Sequence, residues 1–80
     1  MFEKLENLLV KNFQWIEKDT IKNSSKIRED LGLDSISLVN LQILVEDEFQ
    51  IKFNPVEDDI TRIFNTIDSL LSFIKEKNDE

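Results

Sequence analysis

The most informative absences are those of cysteine and histidine, neither of which occurs among the 80 residues. Without cysteine the chain can form no disulfide and no thiolate metal site. Without histidine it lacks the commonest general base and the commonest transition-metal ligand. A Ser–His or Cys–His hydrolase within this chain is therefore excluded, although a Ser–Lys arrangement is formally left open.

Glycine and proline are nearly absent as well, with one residue of each. All-β folds need many more turn residues, so this scarcity favours long uninterrupted helices. The hydrophobic fraction of 40% is enough for a globular core. No repeat with a period of about 20 to 50 residues occurs. We therefore predict one domain over residues 1–80 with an all-α fold.

Positive charge is scarce too, because 10 Lys and Arg residues face 17 Asp and Glu residues, for a formal net charge of −7. Such a chain is unsuited to nucleic acid or anionic lipid, which bind Lys and Arg, and suits partners with basic patches. No apolar run approaches the length of a membrane span, and the acidic N-terminus is unlike a signal or transit peptide. We predict a cytoplasmic protein with no nucleic-acid partner and no membrane insertion.

Apolar residues recur at spacings of three and four, the pattern of helices with one buried face. The first helix is predicted over residues 2–17, and a long polar loop follows at 19–29. Ile21 and Ile27 are predicted to pin this loop to the core. The second helix is predicted over residues 35–49. Its predicted core face consists of Leu38, Leu41, Val45 and Phe49.

Two shorter helices are predicted in the second half of the chain. Asn54 is a candidate cap for a third helix from Pro55 to about Arg62, and Asn65 or Thr66 for a fourth. The inner stripe of the fourth helix is predicted as Ile67, Leu70, Leu71 and Ile74, with Phe73 at the side and a frayed tail over 75–80. The expected architecture is a four-helix antiparallel bundle with a short third helix and a long first loop.

The single glycine, Gly32, lies in the stretch Leu31-Gly32-Leu33-Asp34-Ser35, directly before the second helix. A serine at this point is a candidate N-cap, because its hydroxyl can accept a first-turn N–H. Ser35 is therefore predicted at an exposed loop–helix junction, where a modifying enzyme can reach it.

The stretch Gly32-Leu33-Asp34-Ser35-Ile36 is close to the Gly-x-Asp-Ser-Leu signature of the acyl carrier protein family. The helix continues in that family's pattern and ends at Glu46-Asp47-Glu48-Phe49, so the chain resembles the family over nearly its whole length. The fold that the resemblance implies agrees with the bundle predicted from periodicity.

The resemblance implies a 4′-phosphopantetheine arm on Ser35, transferred from coenzyme A by a phosphopantetheinyl transferase that Asp34 helps to recognise. The thiol of the arm would hold an acyl or aminoacyl group as a thioester. The chain itself would then be no enzyme. It would be a monomer that works with loading ligases and synthases.

Two groups of residues on the second helix are predicted to meet these partners. Ile36 is predicted to contact a partner. Val39 and Ile43 either form an apolar contact for a partner or acyl chain, or belong to the flank of a wide core stripe. Glu46, Asp47 and Glu48 form an acidic cluster at the helix C-terminal end, where they oppose the helix dipole. This cluster is either a docking patch for basic partner surfaces or a solvated face.

The sequence does not decide between several pathways, or between two classes of protein. Ser37 and Asn40 stand where fatty-acid carriers usually have acidic residues, so a carrier for a polyketide, peptide or other specialised pathway is nearly as well supported. The alternative class is an acidic helical interaction domain in which Ser35 is only a cap. A Ser–Lys hydrolase is disfavoured because the Gly-x-Ser-x-Gly elbow is missing. No metal site is predicted, since Asp58-Asp59 lacks the spacing of a calcium loop.

Overall fold

The computed structural model describes residues 1–54 and 56–78, which form four α-helices and one short 3-10 helix. The α-helices are α1 (Phe2–Asn12), α2 (Ser35–Phe49), α3 (Ile60–Ile63) and α4 (Ile67–Asn78), and the 3-10 helix is Lys18–Thr20. The predicted all-α fold, with a short third helix and a long first loop, is confirmed. Among the described residues, none of these helices has the length and hydrophobicity needed to cross a bilayer.

Helix α1 is shorter than predicted, because it ends at Asn12 and not near residue 17. The Asn12 side-chain amide donates to the Leu8 carbonyl at 2.8 Å, and Phe13 has an extended backbone. Phe13 and Ile16 are nevertheless buried. Their spacing therefore reflects burial and not helical structure. A spacing pattern alone does not distinguish a buried helix from a buried non-helical segment.

The long connection between α1 and α2 is held to the start of α4 by backbone hydrogen bonds. The Ile27 N–H donates to the Asn65 carbonyl, and the Ile67 N–H donates to the Ser25 carbonyl, each at 3.0 Å. Ile21 and Ile27 are buried, as predicted. These contacts order the chain on its way to α2.

Helix α2 has the predicted bounds. Leu41, Val45 and Phe49 are buried, and Leu38 packs against the core while partly exposed. The helix ends at Gln50, whose φ of 55° lies in the left-handed region.

Replacing Gln50 by glycine is expected to raise the free energy of unfolding by about 0.5 kcal/mol. A left-handed conformation costs a residue with a Cβ about 1–2 kcal/mol, which the greater chain entropy of unfolded glycine partly offsets. Urea denaturation measures the change. Gln50→Ala is the control, since it also loses the bond from the side-chain amide to the Asp47 carbonyl but keeps the Cβ. A glycine variant no more stable than the alanine variant would contradict the argument.

Helix α3 is a single turn that begins at Ile60, and the predicted helix start at Pro55 lies outside the described residues. The Asn54 side-chain oxygen accepts the Val56 N–H at 2.9 Å, as a helix cap would. Residues 56–58 nevertheless form a turn and not a helix. Asp59 then caps α3 by accepting the Arg62 N–H at 3.2 Å. Two competing cap residues thus divide the segment that the sequence predicted as one helix.

Helix α4 begins with a reciprocal cap, as predicted for Thr66. The Thr66 hydroxyl accepts the Ser69 N–H, and the Ser69 hydroxyl accepts the Thr66 N–H, both at 3.0 Å. This is the geometry of a capping box, here closed by a serine.

The inner face of α4 differs from the predicted stripe. Phe73 is buried and Leu71 is only partly buried, because the Phe73 ring stacks on the Phe53 ring with 5.0 Å between centroids. The helix also continues to Asn78, so the predicted fraying is wrong for residues 75–78. Residues 79 and 80 lie outside the described residues. Lys77 approaches Asp58 at 3.9 Å and joins this helix to the preceding loop.

Candidate functional site

Ser35 is the first residue of α2, and its side chain is exposed. The predicted cap role of Ser35 is wrong, because Asp34 is the N-cap and its Oδ1 accepts the Ser37 N–H at 2.8 Å. Aspartate caps helices as well as serine does, so the residue order alone left the choice between the two open. Asp34 thus satisfies the helix end, and the Ser35 hydroxyl is presented at the surface of the first turn.

The pKa of the Asp34 carboxyl is lowered from its ordinary value of 3.8. The hydrogen bond from the Ser37 backbone N–H is the main cause, and the bond from the Ser37 hydroxyl comes next. Hydrogen bonds donated to a carboxylate favour its charged form. The helix dipole acts in the same direction.

This pKa shift predicts a loss of stability in acid. A carboxyl whose pKa is lower in the folded state stabilises the fold fully above its unfolded pKa, and loses that effect as the pH falls through the folded value. For Asp34 the loss of stability begins as the pH falls to about 4, near the unfolded pKa. It is completed below the folded pKa, which is lower than 3.8. Urea denaturation of wild type and Asp34→Asn from pH 6 to about pH 2 measures it. The asparagine keeps an acceptor oxygen but does not titrate, so its stability should fall less steeply. Parallel curves for the two proteins would contradict this role.

The turn that leads to Ser35 is held from both sides. Leu31 and Leu33 are buried in the core, and Gly32 between them has a φ of 72°, which glycine adopts without strain. The Trp15 indole N–H donates to the Leu31 carbonyl at 2.8 Å. Its link to a residue sixteen positions later has no local signal.

The first three turns of α2 present an uncharged surface, since no charged residue occurs between Asp34 and Glu46. Ile36, Val39 and Ile43 are 82%, 55% and 59% exposed. With Ser35, Ser37 and Asn40 they line one shallow depression, which we call the apolar surface. The exposure of Val39 and Ile43 shows that these two residues are not the flank of the core stripe.

The acidic cluster lies at the opposite end of the helix, about 17 Å along the axis from Ser35. Asp47 and Glu48 are exposed. Glu46 is partly buried, and its Oε2 accepts the Phe53 N–H at 2.8 Å. Glu46 therefore also has a structural role, which the sequence did not indicate.

A phosphopantetheine group fits the position of Ser35, because an exposed hydroxyl at the start of a helix leaves room for an arm. The N–H groups of a first helical turn can favour an attached phosphate, but the Ser37 N–H is already donated to Asp34. Among residues 1–54 and 56–78, no three carboxylates cluster in a way that could hold a metal ion.

Comparison with known proteins agrees with this geometry. Residues 3–74 match the family model described as a phosphopantetheine attachment site. The chain is 32% identical to an acyl carrier protein of Phytoplasma mali over 79 residues, which cover 99% of this chain and 89% of the relative. It is 33% identical to that of Lactobacillus acidophilus over 75 residues, or 94% of this chain and 89% of the relative. The acyl carrier protein of a Sulfurovum species is 29% identical, with 94% and 95% covered.

These matches span nearly the whole chain and confirm the resemblance indicated by the stretch from Gly32 to Ile36. The alternative class, an interaction domain without a prosthetic group, is not favoured. The chain belongs to the family of acyl carrier proteins, which are not catalysts but hold acyl groups on 4′-phosphopantetheine and interact with a transferase and with synthases.

Proposed function

We propose that Ser35 is the residue of this chain that carries the 4′-phosphopantetheine arm. The observation that supports the proposal best is its position as the exposed first residue of α2, within the stretch that resembles the family signature. Ser37 is the nearest other hydroxyl residue, but it is partly buried, and its backbone N–H is donated to the Asp34 carboxylate.

In the proposed reaction the Ser35 hydroxyl oxygen attacks the phosphorus of coenzyme A that bears the pantetheine. A Ser–O–P bond forms, and the P–O bond of the pyrophosphate breaks. 3′,5′-ADP leaves with the bonding electrons, and the hydroxyl proton passes to a base of the transferase or to water. This chain contributes the nucleophile and its position. The attached phosphodiester adds negative charge, so the loaded protein is more acidic than the unmodified one.

Partner enzymes are proposed to contact two regions of α2. The apolar surface around Ile36, Val39 and Ile43 would pack against an apolar part of a transferase, ligase or synthase, as exposed apolar patches commonly do. The exposed carboxylates of Asp47 and Glu48 would meet basic side chains, and Glu46 would add its charge from a more buried position. Asp34 is proposed to help the transferase recognise the turn.

The cargo is proposed to be an acyl or aminoacyl thioester of a fatty-acid, polyketide or related pathway. The uncharged start of α2 makes a specialised synthase nearly as well supported as a general fatty-acid synthase, because residues 35–45 have no carboxylate for a basic partner surface to bind. We further propose that residues 1–80 act as one monomeric carrier domain in the cytoplasm.

The test is the intact mass of the unmodified protein before and after incubation with coenzyme A, Mg²⁺ and a broad-specificity phosphopantetheinyl transferase. We expect a gain of one phosphopantetheine. Trypsin cleaves after Arg28 and Lys52, and the intervening peptide contains only Ser35 and Ser37 as hydroxyl residues. The added mass is expected on this peptide.

A mass gain on any other peptide would contradict the proposed site. A known carrier is modified in parallel as the control. If that carrier gains mass and a folded sample of this protein does not, the proposed attachment is contradicted and a docking role without the arm is favoured.

A further inference from the structure

The single tryptophan of the chain lies beside the turn that precedes Ser35. Its indole N–H donates to the Leu31 carbonyl at 2.8 Å, and a Cβ placed on Gly32 would lie 3.4 Å from the indole nitrogen. The other side of the ring meets buried Phe13, edge to face, with 5.5 Å between centroids. The indole therefore bridges the segment after α1 and the Leu31–Gly32 turn, while 56% of its surface is exposed.

We propose that Trp15 is a positioning residue for the transfer of phosphopantetheine onto Ser35. This inference rests on the proposed attachment at Ser35. Trp15 does not touch the hydroxyl. It acts through the Leu31–Gly32 turn, which lies three residues before Ser35 and therefore sets where α2 begins.

The turn needs a partner of this kind at Gly32, although Leu31 and Leu33 on either side are buried in the core. Gly32 has the widest conformational freedom of any residue type, and no side chain of its own anchors it. The Leu31 N–H donates to the Lys26 carbonyl at 3.2 Å, but the backbone bond after Gly32, from the Leu33 N–H to the Ile27 carbonyl, is long at 3.5 Å. The indole N–H supplies a shorter bond, of 2.8 Å, to the Leu31 carbonyl. The ring also covers the position where Gly32 lacks a side chain.

A turn with several conformations presents Ser35 correctly only part of the time. The apparent affinity of the transferase then falls by the fraction of molecules in the competent conformation. Once the transferase has bound the competent conformation, the Ser35 hydroxyl has the same geometry in a Trp15 variant as in wild type. Loss of the indole should consequently raise the KM for the carrier and leave kcat nearly unchanged.

The experiment compares wild type, Trp15→Phe and Trp15→Ala as substrates of the transferase, with KM and kcat for the carrier measured separately. Phenylalanine keeps a ring against Gly32 but loses the N–H, so we expect a rise in KM of about threefold, the effect of one hydrogen bond. Alanine loses both, and about tenfold is expected. Ile51→Val is the control, because it weakens the core at the far end of α2 without touching the turn.

Equal KM values for wild type and both Trp15 variants would overturn the inference while leaving the proposed attachment intact. A matching rise in Ile51→Val would also overturn it, since the effect would then reflect general stability. If wild type itself is not modified, it is the proposed attachment that fails.

A second measurement is independent of the transferase. Hydrogen exchange of the unmodified protein reports on the amides of Leu33 and Ser37, which are hydrogen-bonded on either side of Ser35. Both are expected to exchange about tenfold faster in Trp15→Ala, whereas the Ile51 amide, bonded to Glu46 at the other end of α2, is expected to keep its rate. Unchanged exchange at Leu33 and Ser37 would overturn the positioning role.

Discussion

Replacing Ser35 by alanine is expected to abolish the mass gain completely and to change the free energy of unfolding by less than about 0.5 kcal/mol. The first effect follows because the nucleophilic oxygen is removed. The second follows because Asp34, and not Ser35, accepts the Ser37 N–H that caps α2. Alanine also has a higher helix propensity than serine, which offsets any small loss at an exposed position.

Ser37→Ala is the matched control, since it removes a hydroxyl two residues away in the same turn but keeps the capped backbone N–H. It should accept one phosphopantetheine. Intact mass and urea denaturation of both variants make the comparison. Retained modification in Ser35→Ala with loss in Ser37→Ala would move the attachment site. A large loss of stability in Ser35→Ala would instead mean that the hydroxyl supports the fold.

The second large effect is expected at Ile36, the most exposed residue of the apolar surface at 82%. Ile36→Asn should lower kcat/KM for modification by the transferase about 10- to 100-fold. An isoleucine side chain that becomes buried in a partner contributes about 1.5–3 kcal/mol, and a buried amide without a partner costs more. Because the side chain is exposed in the isolated protein, its stability should stay within about 0.5 kcal/mol of wild type.

Val56 offers a matched control on another surface, since it is 91% exposed and does not line the apolar surface. Val56→Asn makes the same kind of change and should alter kcat/KM less than about twofold. Similar losses from the two substitutions would contradict specific docking at Ile36. No loss from either would show that the transferase does not bury this side chain.

At Ser35, part of the site could be predicted from the sequence and part could not. The exposed position of Ser35 at the start of α2 could be predicted from the sequence, because a glycine, an acid and a serine before an amphipathic helix form a local pattern. That Ser35 is not the cap could not be predicted in this way. Asp34 and Ser35 are equivalent cap residues, and only the extended backbone at Asp34 decides between them.

The bounds of α2 and the burial of Leu41, Val45 and Phe49 were predicted correctly, since a helix with one apolar face is specified by residues within a few positions of each other. Leu38, the fourth residue of the predicted core face, is partly exposed. The end of α1 was not predicted correctly. Phe13 and Ile16 continue the apolar spacing of that helix, and spacing reports which side chains are buried without reporting the backbone that carries them.

The amino-acid sequence by itself thus determined the all-α class, the position of Ser35 and the family, all of which depend on local patterns. The tertiary structure alone decided that Phe73 and not Leu71 faces the core, that Glu46 accepts the Phe53 N–H, and that Trp15 holds the Leu31 carbonyl. Each of these depends on contacts between side chains and distant segments, whose geometry is set by how the helices pack and is not encoded in the spacing of any one helix.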